Sequence, residues 1–166
     1  EDVHEFHLKE VFKKLNTRSE AKVAFFAWLY GSSKAASSQE SSRLAKFYEK
    51  QKLLQKYWVD GSIKTFYGKR IHNVSNHHAL NYLVQSTAAE LALKQFLKMN
   101  YLIENRSSKS HVSFLIHDAI VIDMSKEDMH LLKPLATLME STNFGKFKIN
   151  IKKGKNLGSL KECQIG

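Results

Sequence analysis

At 166 residues, 43% hydrophobic and 25% charged, the chain is long enough to bury a core and has an ordinary globular composition. Its 26 Lys and Arg against 16 Asp and Glu leave a formal charge of +10, which favours a polyanionic partner through counterion release and long-range steering. A single cysteine, Cys163, excludes an internal disulfide framework and a cysteine-rich zinc site, and no apolar run of about 18 residues is available to span a membrane.

The chain opens at Glu1 without a methionine and without a basic-then-apolar leader, so an intracellular piece of something longer, not a secreted protein, is expected. From Asp2 to Leu15, Val3, Phe6, Val11, Phe12 and Leu15 recur mostly every three or four residues, which predicts an amphipathic helix. Thr17 or Asn16 can cap a second helix, Arg18 to Tyr30, rich in Ala and aromatics and closed by Gly31. Residues 32–42, SSKAASSQESS, read as a loop or weak helix. Helical spacing returns over residues 43–58, and Asp60-Gly61 makes a turn into a short strand, Ile63 to Tyr67. The longest helix runs from Asn76 to about Tyr101. Val112 to Met124 suits a buried strand or hairpin, residues 126–140 a helix that Pro134 could kink, and Phe147 to Ile151 a last strand. The expected class is α+β, helices first and a small antiparallel sheet later.

Three groups of residues carry candidate chemistry. Arg18, Lys22, Phe26 and Tyr30 are four apart, so on a helix each is displaced by only ~40° from the last and the set spans roughly 18 Å. Two cations near a helix start could clamp a triphosphate while an aromatic ring further on stacks on a base; the same spacing also suits a basic solvated edge running into core aromatics. Asp118 lies inside the apolar run Phe114 to Ile122, where a carboxylate is costly unless exposed at a turn or bound to a cation. A hard divalent ion would accept it, and so would a structural hairpin tip. Asn81 and Gln85 share a helix face from which amides could read nucleic acid, or simply form the polar side of the helix. His72, His77, His78 and His111 have no companion ligands at zinc spacing.

The order of these pieces resembles the C-terminal half of family A (polymerase I type) DNA polymerases. Arg18 to Gly31 is similar to motif B, R-x3-K-x3-F/Y-x3-Y-G, on the helix of the fingers that closes over the incoming nucleotide. Asp2-Val3-His4 resembles the D-I/V-H before it, Thr65 to Arg70 the T-x-x-G-R-R segment, Asn81 to Glu90 the N-x-x-V-Q-G-T-A-A-D/E helix, and Ile116-His117-Asp118 the V/I-H-D of motif C. The likeness runs from residue 2 to about Glu162. It implies a fingers portion over 1–60 and a C-terminal palm portion over 61–166. It further implies template-directed addition of deoxynucleotides to a primer 3′ end with two Mg2+ ions. On that pattern His4, Arg18, Lys22 and Phe26 hold the nucleotide. Tyr30, Asn81, Gln85 and His117 face template and primer, and Asp118 ligates the metals.

Three departures accompany the likeness. Motif A, which supplies the second metal-binding aspartate and the ribose-excluding residue, is not found, so an upstream segment or complementing chain is the expected partner besides primer-template DNA and deoxynucleoside triphosphates. Asp123 is the nearest carboxylate that could stand in. Ala119 occupies the position where motif C commonly has Glu, and the segment from Ser32 to Lys64 is shorter than usual. The compact spacing from motif B to motif C points to a viral or phage origin. A non-catalytic basic DNA-binding remnant is the alternative, as is a polymerase acting on RNA; retention of Arg18, Lys22 and Asp118 together weighs against the remnant.

Overall fold

The computed structural model describes residues 2–31, 36–106 and 108–163, which form two compact units, Glu1–Thr87 and Ala88–Gly166. The architecture is α+β, and each unit has its own core.

In the first unit, helix α1 (Val3–Glu10) starts at Asp2, whose carboxylate accepts from the His4 and Glu5 amides at 2.9 and 3.2 Å. It ends five residues before the expected Leu15. Val11 and Phe12 are both buried, and their amides both donate to the His7 carbonyl, at 3.0 and 2.9 Å, so the chain turns out of the helix there. Helix α2 (Arg18–Leu29) begins with a reciprocal capping box between Thr17 and Glu20 and stops at Gly31, whose φ of 89° suits glycine. Val11, Phe12, Ala21, Phe25 and Leu44 form the core between these helices.

Residues 43–58 are not one helix. Helix α3 (Ser38–Phe47) starts earlier, at a Ser37–Glu40 capping box, and Tyr48 is extended before α4 (Lys50–Tyr57). The break lets the Tyr48 hydroxyl reach buried His7, 2.6 Å away. Of the low-complexity stretch, residues 32–35 lie outside the described residues. A three-stranded antiparallel sheet follows: β1 (Trp58–Val59), β2 (Ser62–Lys64) and β3 (Arg70–Ile71). Asp60 and Gly61, both at positive φ, make the expected turn between β1 and β2. The strand predicted to Tyr67 ends at Lys64, because Thr65 closes a turn instead, exchanging backbone bonds with Lys69 and Gly68. Leu54, Ile63, Val74, Ala79, Leu80 and Leu83 pack beneath this sheet against the start of α5 (Asn76–Glu104).

In the second unit, the remainder of α5 packs Met99 and Ile103 against Val112, Leu131 and Leu135. These last come from the hairpin β4 (His111–Ile116) and β5 (Ala119–Asp123), from a 3₁₀ turn at Lys126–Leu131, and from α6 (Leu132–Glu140). Pro134 makes no kink: it is the third residue of α6, in the first turn, where no intrahelical N–H bond is lost. Asp128 accepts from the Ser108 hydroxyl (2.6 Å) and from the Ser110 hydroxyl and amide (2.8 and 2.9 Å), bonds that hold its carboxyl below the usual range. The strand expected over Phe147–Ile151 does not form. Phe147 is half exposed, and the pairing falls on either side of it, in β6 (Ser141–Thr142) with β7 (Gly145–Lys146) and in β8 (Lys152–Lys153) with β9 (Lys161–Glu162).

Gln95 is 1% exposed, and its amide nitrogen donates to the Leu138 and Ser141 carbonyls at 2.6 and 2.9 Å, satisfying the end of α6. Gln95→Leu keeps the volume but leaves those carbonyls unpaired, so it should cost about 1–3 kcal/mol in urea-unfolding stability. A loss below a few tenths of a kcal/mol would show that the end of α6 does not depend on this amide.

Candidate functional site

The cations of α2 are not equivalent. Arg18 forks onto Asp2, with Nε to Oδ1 at 3.0 Å and a terminal nitrogen to Oδ2 at 2.6 Å, joining the first residue of α2 to the cap of α1. The fork holds the Asp2 carboxyl well below the usual carboxylate range and raises the guanidinium further, although both side chains remain partly exposed. Lys22, one turn along α2, is exposed. Phe26 and Tyr30 continue the stripe as stacked rings, 5.8 Å apart and 18° from parallel, and the Tyr30 hydroxyl is buried without a hydrogen-bond partner.

His4 is buried among Phe25, Phe26 and His7, with ring centroids 5.6–5.9 Å away. Burial pushes its pKa down, as it does that of His7, so the imidazole expected to face phosphate is a neutral group in a closed position. His4, Arg18 and Phe26 do come together around the start of α1 and one face of α2. His7, fully buried and stacked on Phe25 at 4.3 Å, and Asp2 as the partner of Arg18 were not legible as site residues in the sequence. Asp2 is 16 residues from Arg18, and nothing in the helical spacing links them.

Asn81 and Gln85 lie on α5, four residues apart; Gln85 is exposed and Asn81 half-buried, while Leu80 and Leu83 turn into the core. Their amides are therefore on the outward part of the helix, as the spacing predicted.

In the second unit, Ile116 pairs with Ala119, so His117 and Asp118 are the two-residue tip of the β4–β5 hairpin. His117 has φ of 53°, a left-handed conformation uncommon outside glycine, and both side chains are exposed. The apolar run thus tolerates Asp118 because the turn lifts it into solvent.

A hard divalent ion takes about six oxygen ligands. Among the described residues no group of three or more His, Cys, Asp or Glu is assembled, and Asp118 offers one carboxylate. Asp123 does not complete a set: it sits at the opposite end of β5, facing His111 at 3.9 Å and about 17 Å along the strand from Asp118. The described residues do not by themselves fit a magnesium site.

The fold is of the DNA polymerase type. Similarity extends over 84% of the chain to the polymerase domain of Pol1 from M. smegmatis, solved in complex with DNA primer-template and dNTP, with a TM-score of 0.67 and 18% sequence identity. The similarity spans about a third of that solved chain, 31%. No family model and no curated protein matches it. Among the described residues no helix is long and apolar enough to cross a membrane.

His4 and His7 titrate near 6.5 when unfolded and lower when folded, so the unfolded chain takes up protons first as pH falls. Their contribution is complete well above pH 6.5 and declines as pH drops through that value toward the folded pKa. Carboxylates held low, such as Asp2 and Asp128, give up theirs only below about pH 4. The melting temperature should therefore fall between pH 7 and pH 5, and His7→Gln should flatten that slope. An unchanged slope in the variant would rule out His7 as its source.

Proposed function

We propose that this chain is the fingers and C-terminal palm part of a template-directed DNA polymerase, transferring deoxynucleotides to a primer 3′ end together with a segment that carries further carboxylates. The observation that carries the reading is the coincidence of two likenesses, one in motif order from residue 2 to Glu162 and one in fold to a polymerase domain over 84% of the chain. On this reading Arg18 and Lys22 bind the triphosphate, with Asp2 as the competing anion on Arg18. His4 acts chiefly by packing beneath Phe26, and Phe26 and Tyr30 present the stacked faces that meet base and template. Asn81, Gln85 and His117 contact primer and template.

Asp118 would supply one of several oxygen ligands to the catalytic Mg2+ ions, whose chemistry is to neutralise phosphate charge and activate the primer hydroxyl. The remaining ligands come from an upstream polymerase segment or a complementing chain. A non-catalytic DNA-binding remnant is the second reading, favoured because no group of three or more His, Cys, Asp or Glu is assembled among the described residues. A viral or phage replication protein acting inside the cell is the setting we infer from the compact motif spacing.

With a complementing motif A segment, Asp118→Asn should lower single-nucleotide incorporation on the order of 100-fold or more while leaving DNA affinity nearly intact. Retained incorporation would remove Asp118 from the site. Lys22→Ala should raise the nucleotide concentration needed for half-maximal incorporation by about 10–100-fold, the worth of one charge-assisted bond, with little change in DNA binding. A change only in DNA affinity and its salt dependence would favour the remnant. The 166-residue chain alone should extend no primer, and extension by it would show that its own residues complete the metal site.

A further inference from the structure

Between Phe144 and Cys163 the chain places six lysines, Lys146, Lys148, Lys152, Lys153, Lys155 and Lys161, against one acid, Glu162, which is half of the whole net charge of +10 in 20 residues. All six are exposed, and none has an ion-pair partner among the described residues. This is a built surface. The Cys163 amide donates to the Ile151 carbonyl at 2.8 Å, Lys152 pairs with Glu162, and Lys153 with Lys161. Asn156 and Ser159 close the intervening turn. Gly154 passes so near the 3₁₀ turn Leu157–Ser159 that a Cβ there would stand 2.6 Å from the Ser159 carbonyl oxygen.

The register is costly by itself. Lys153 and Lys161 are directly opposite in a two-stranded ladder, where Cβ atoms stand about 5 Å apart and like charges are destabilising. Nearby, Lys146-Phe147-Lys148 sets a ring that is 49% exposed between two cations, and Phe144, 42% exposed, sits at the tip of the β6–β7 hairpin. Cations on a short ladder, with exposed aromatic rings a few residues before it in the chain, match a strand whose phosphates alternate with unpaired, stackable bases.

We propose that the β6–β9 region is a binding surface for single-stranded nucleic acid, with Lys152, Lys153 and Lys161 neutralising backbone phosphates and Phe147 stacking on a base. It rests on the polymerase reading only for choosing nucleic acid over other polyanions. An anionic membrane is the competing surface, but membrane-lying segments bury a continuous apolar helix face, and short strands with alternating lysines offer none.

The test uses the full chain and a fluorescein-labelled oligothymidylate of about 20 nucleotides, long enough to cover such a surface. Replacing Lys152, Lys153 and Lys161 together by Gln should weaken binding about tenfold or more at low salt. It should also reduce the slope of log Kd against log salt by about 2, since each cation on a single strand contributes about 0.7. The melting temperature should stay level or rise, because the opposed lysines are gone. Phe147→Leu should weaken single-strand binding several-fold with the salt slope unchanged and duplex affinity unaffected.

Unaltered affinity and slope in the lysine variant, or a lower melting temperature, would overturn the proposal. So would equal weakening of single strand and duplex by Phe147→Leu, or loss of binding to phosphatidylserine vesicles with oligonucleotide affinity intact. Failure of the polymerase reading is separate, because it is read from incorporation by Asp118→Asn, which touches none of these residues.

Discussion

The His7 Nε2 atom and the Tyr48 hydroxyl lie 2.6 Å apart in the core of the first unit, and much of the local geometry follows from satisfying that pair. His7 is fully buried and its Nδ1 has no partner among the described residues, so the contact of Nε2 with Tyr48 spares a second unpaired group. Tyr48 can serve only if the chain leaves helical geometry between α3 and α4, which is where the expected single helix breaks. The stacked Phe25 ring, 4.3 Å from His7, in turn fixes the face of α2 that points inward. With Phe25 inward, Lys22 is left on the exposed side and Phe26 is set toward His4 and Tyr30. The orientation of the candidate nucleotide-binding stripe is thus a consequence of core packing one residue away.

The second unit uses polar anchors in the same manner. Asp128 gathers Ser108 and Ser110 at the base of β4, while Gln95 holds the end of α6. With both ends of the hairpin's surroundings tied down, the ladder from His111–Asp123 to Ile116–Ala119 determines the tip. A non-glycine residue at positive φ costs free energy and persists where the flanking structure over-determines it, often at functional turns. His117 meets that description, and it is the residue beside Asp118.

What could be read from the sequence divides along physical lines. Features set by short-range chemistry were legible: the Gly31 stop, the Asp60-Gly61 turn and the 3.6 period of α5, with Thr17 one of two candidate caps and a turn one of two explanations for Asp118. Features set by contacts distant in sequence were not. The end of α1 depends on Val11 and Phe12 both entering a core built from α2 and α3. The break at Tyr48 has no glycine or proline to announce it, since its cause lies 41 residues earlier. Phe147, Ile149 and Ile151 alternate as a strand would, but alternation without a neighbouring strand to pair leaves half-exposed side chains and no ladder. The stripe of α2 was legible as spacing, whereas the capture of Arg18 by Asp2 and the burial of His4 depend on how α1 crosses it. The division at residue 60 drawn from the motifs is a functional one and remains an expectation beside the compact units.

That capture bears on how the stripe would work under the polymerase reading. The Arg18–Asp2 fork is exposed on both sides, and exposed ion pairs contribute little to stability because water screens them and ordering two side chains offsets much of the attraction. A phosphate group carrying more charge than one carboxylate can therefore take the guanidinium at small cost, using the same bidentate geometry. Asp2 keeps its other contacts when this happens, since its Oδ1 also accepts the His4 and Glu5 amides at the start of α1. The cap holds the helix, and the fork holds the arginine extended and oriented. Less rotamer entropy then remains to be lost when an anion arrives, which is how preorganisation raises affinity. Lys22 has no such holder among the described residues, so the two cations of one motif differ in kind: Arg18 is poised, and Lys22 must be ordered by what it binds.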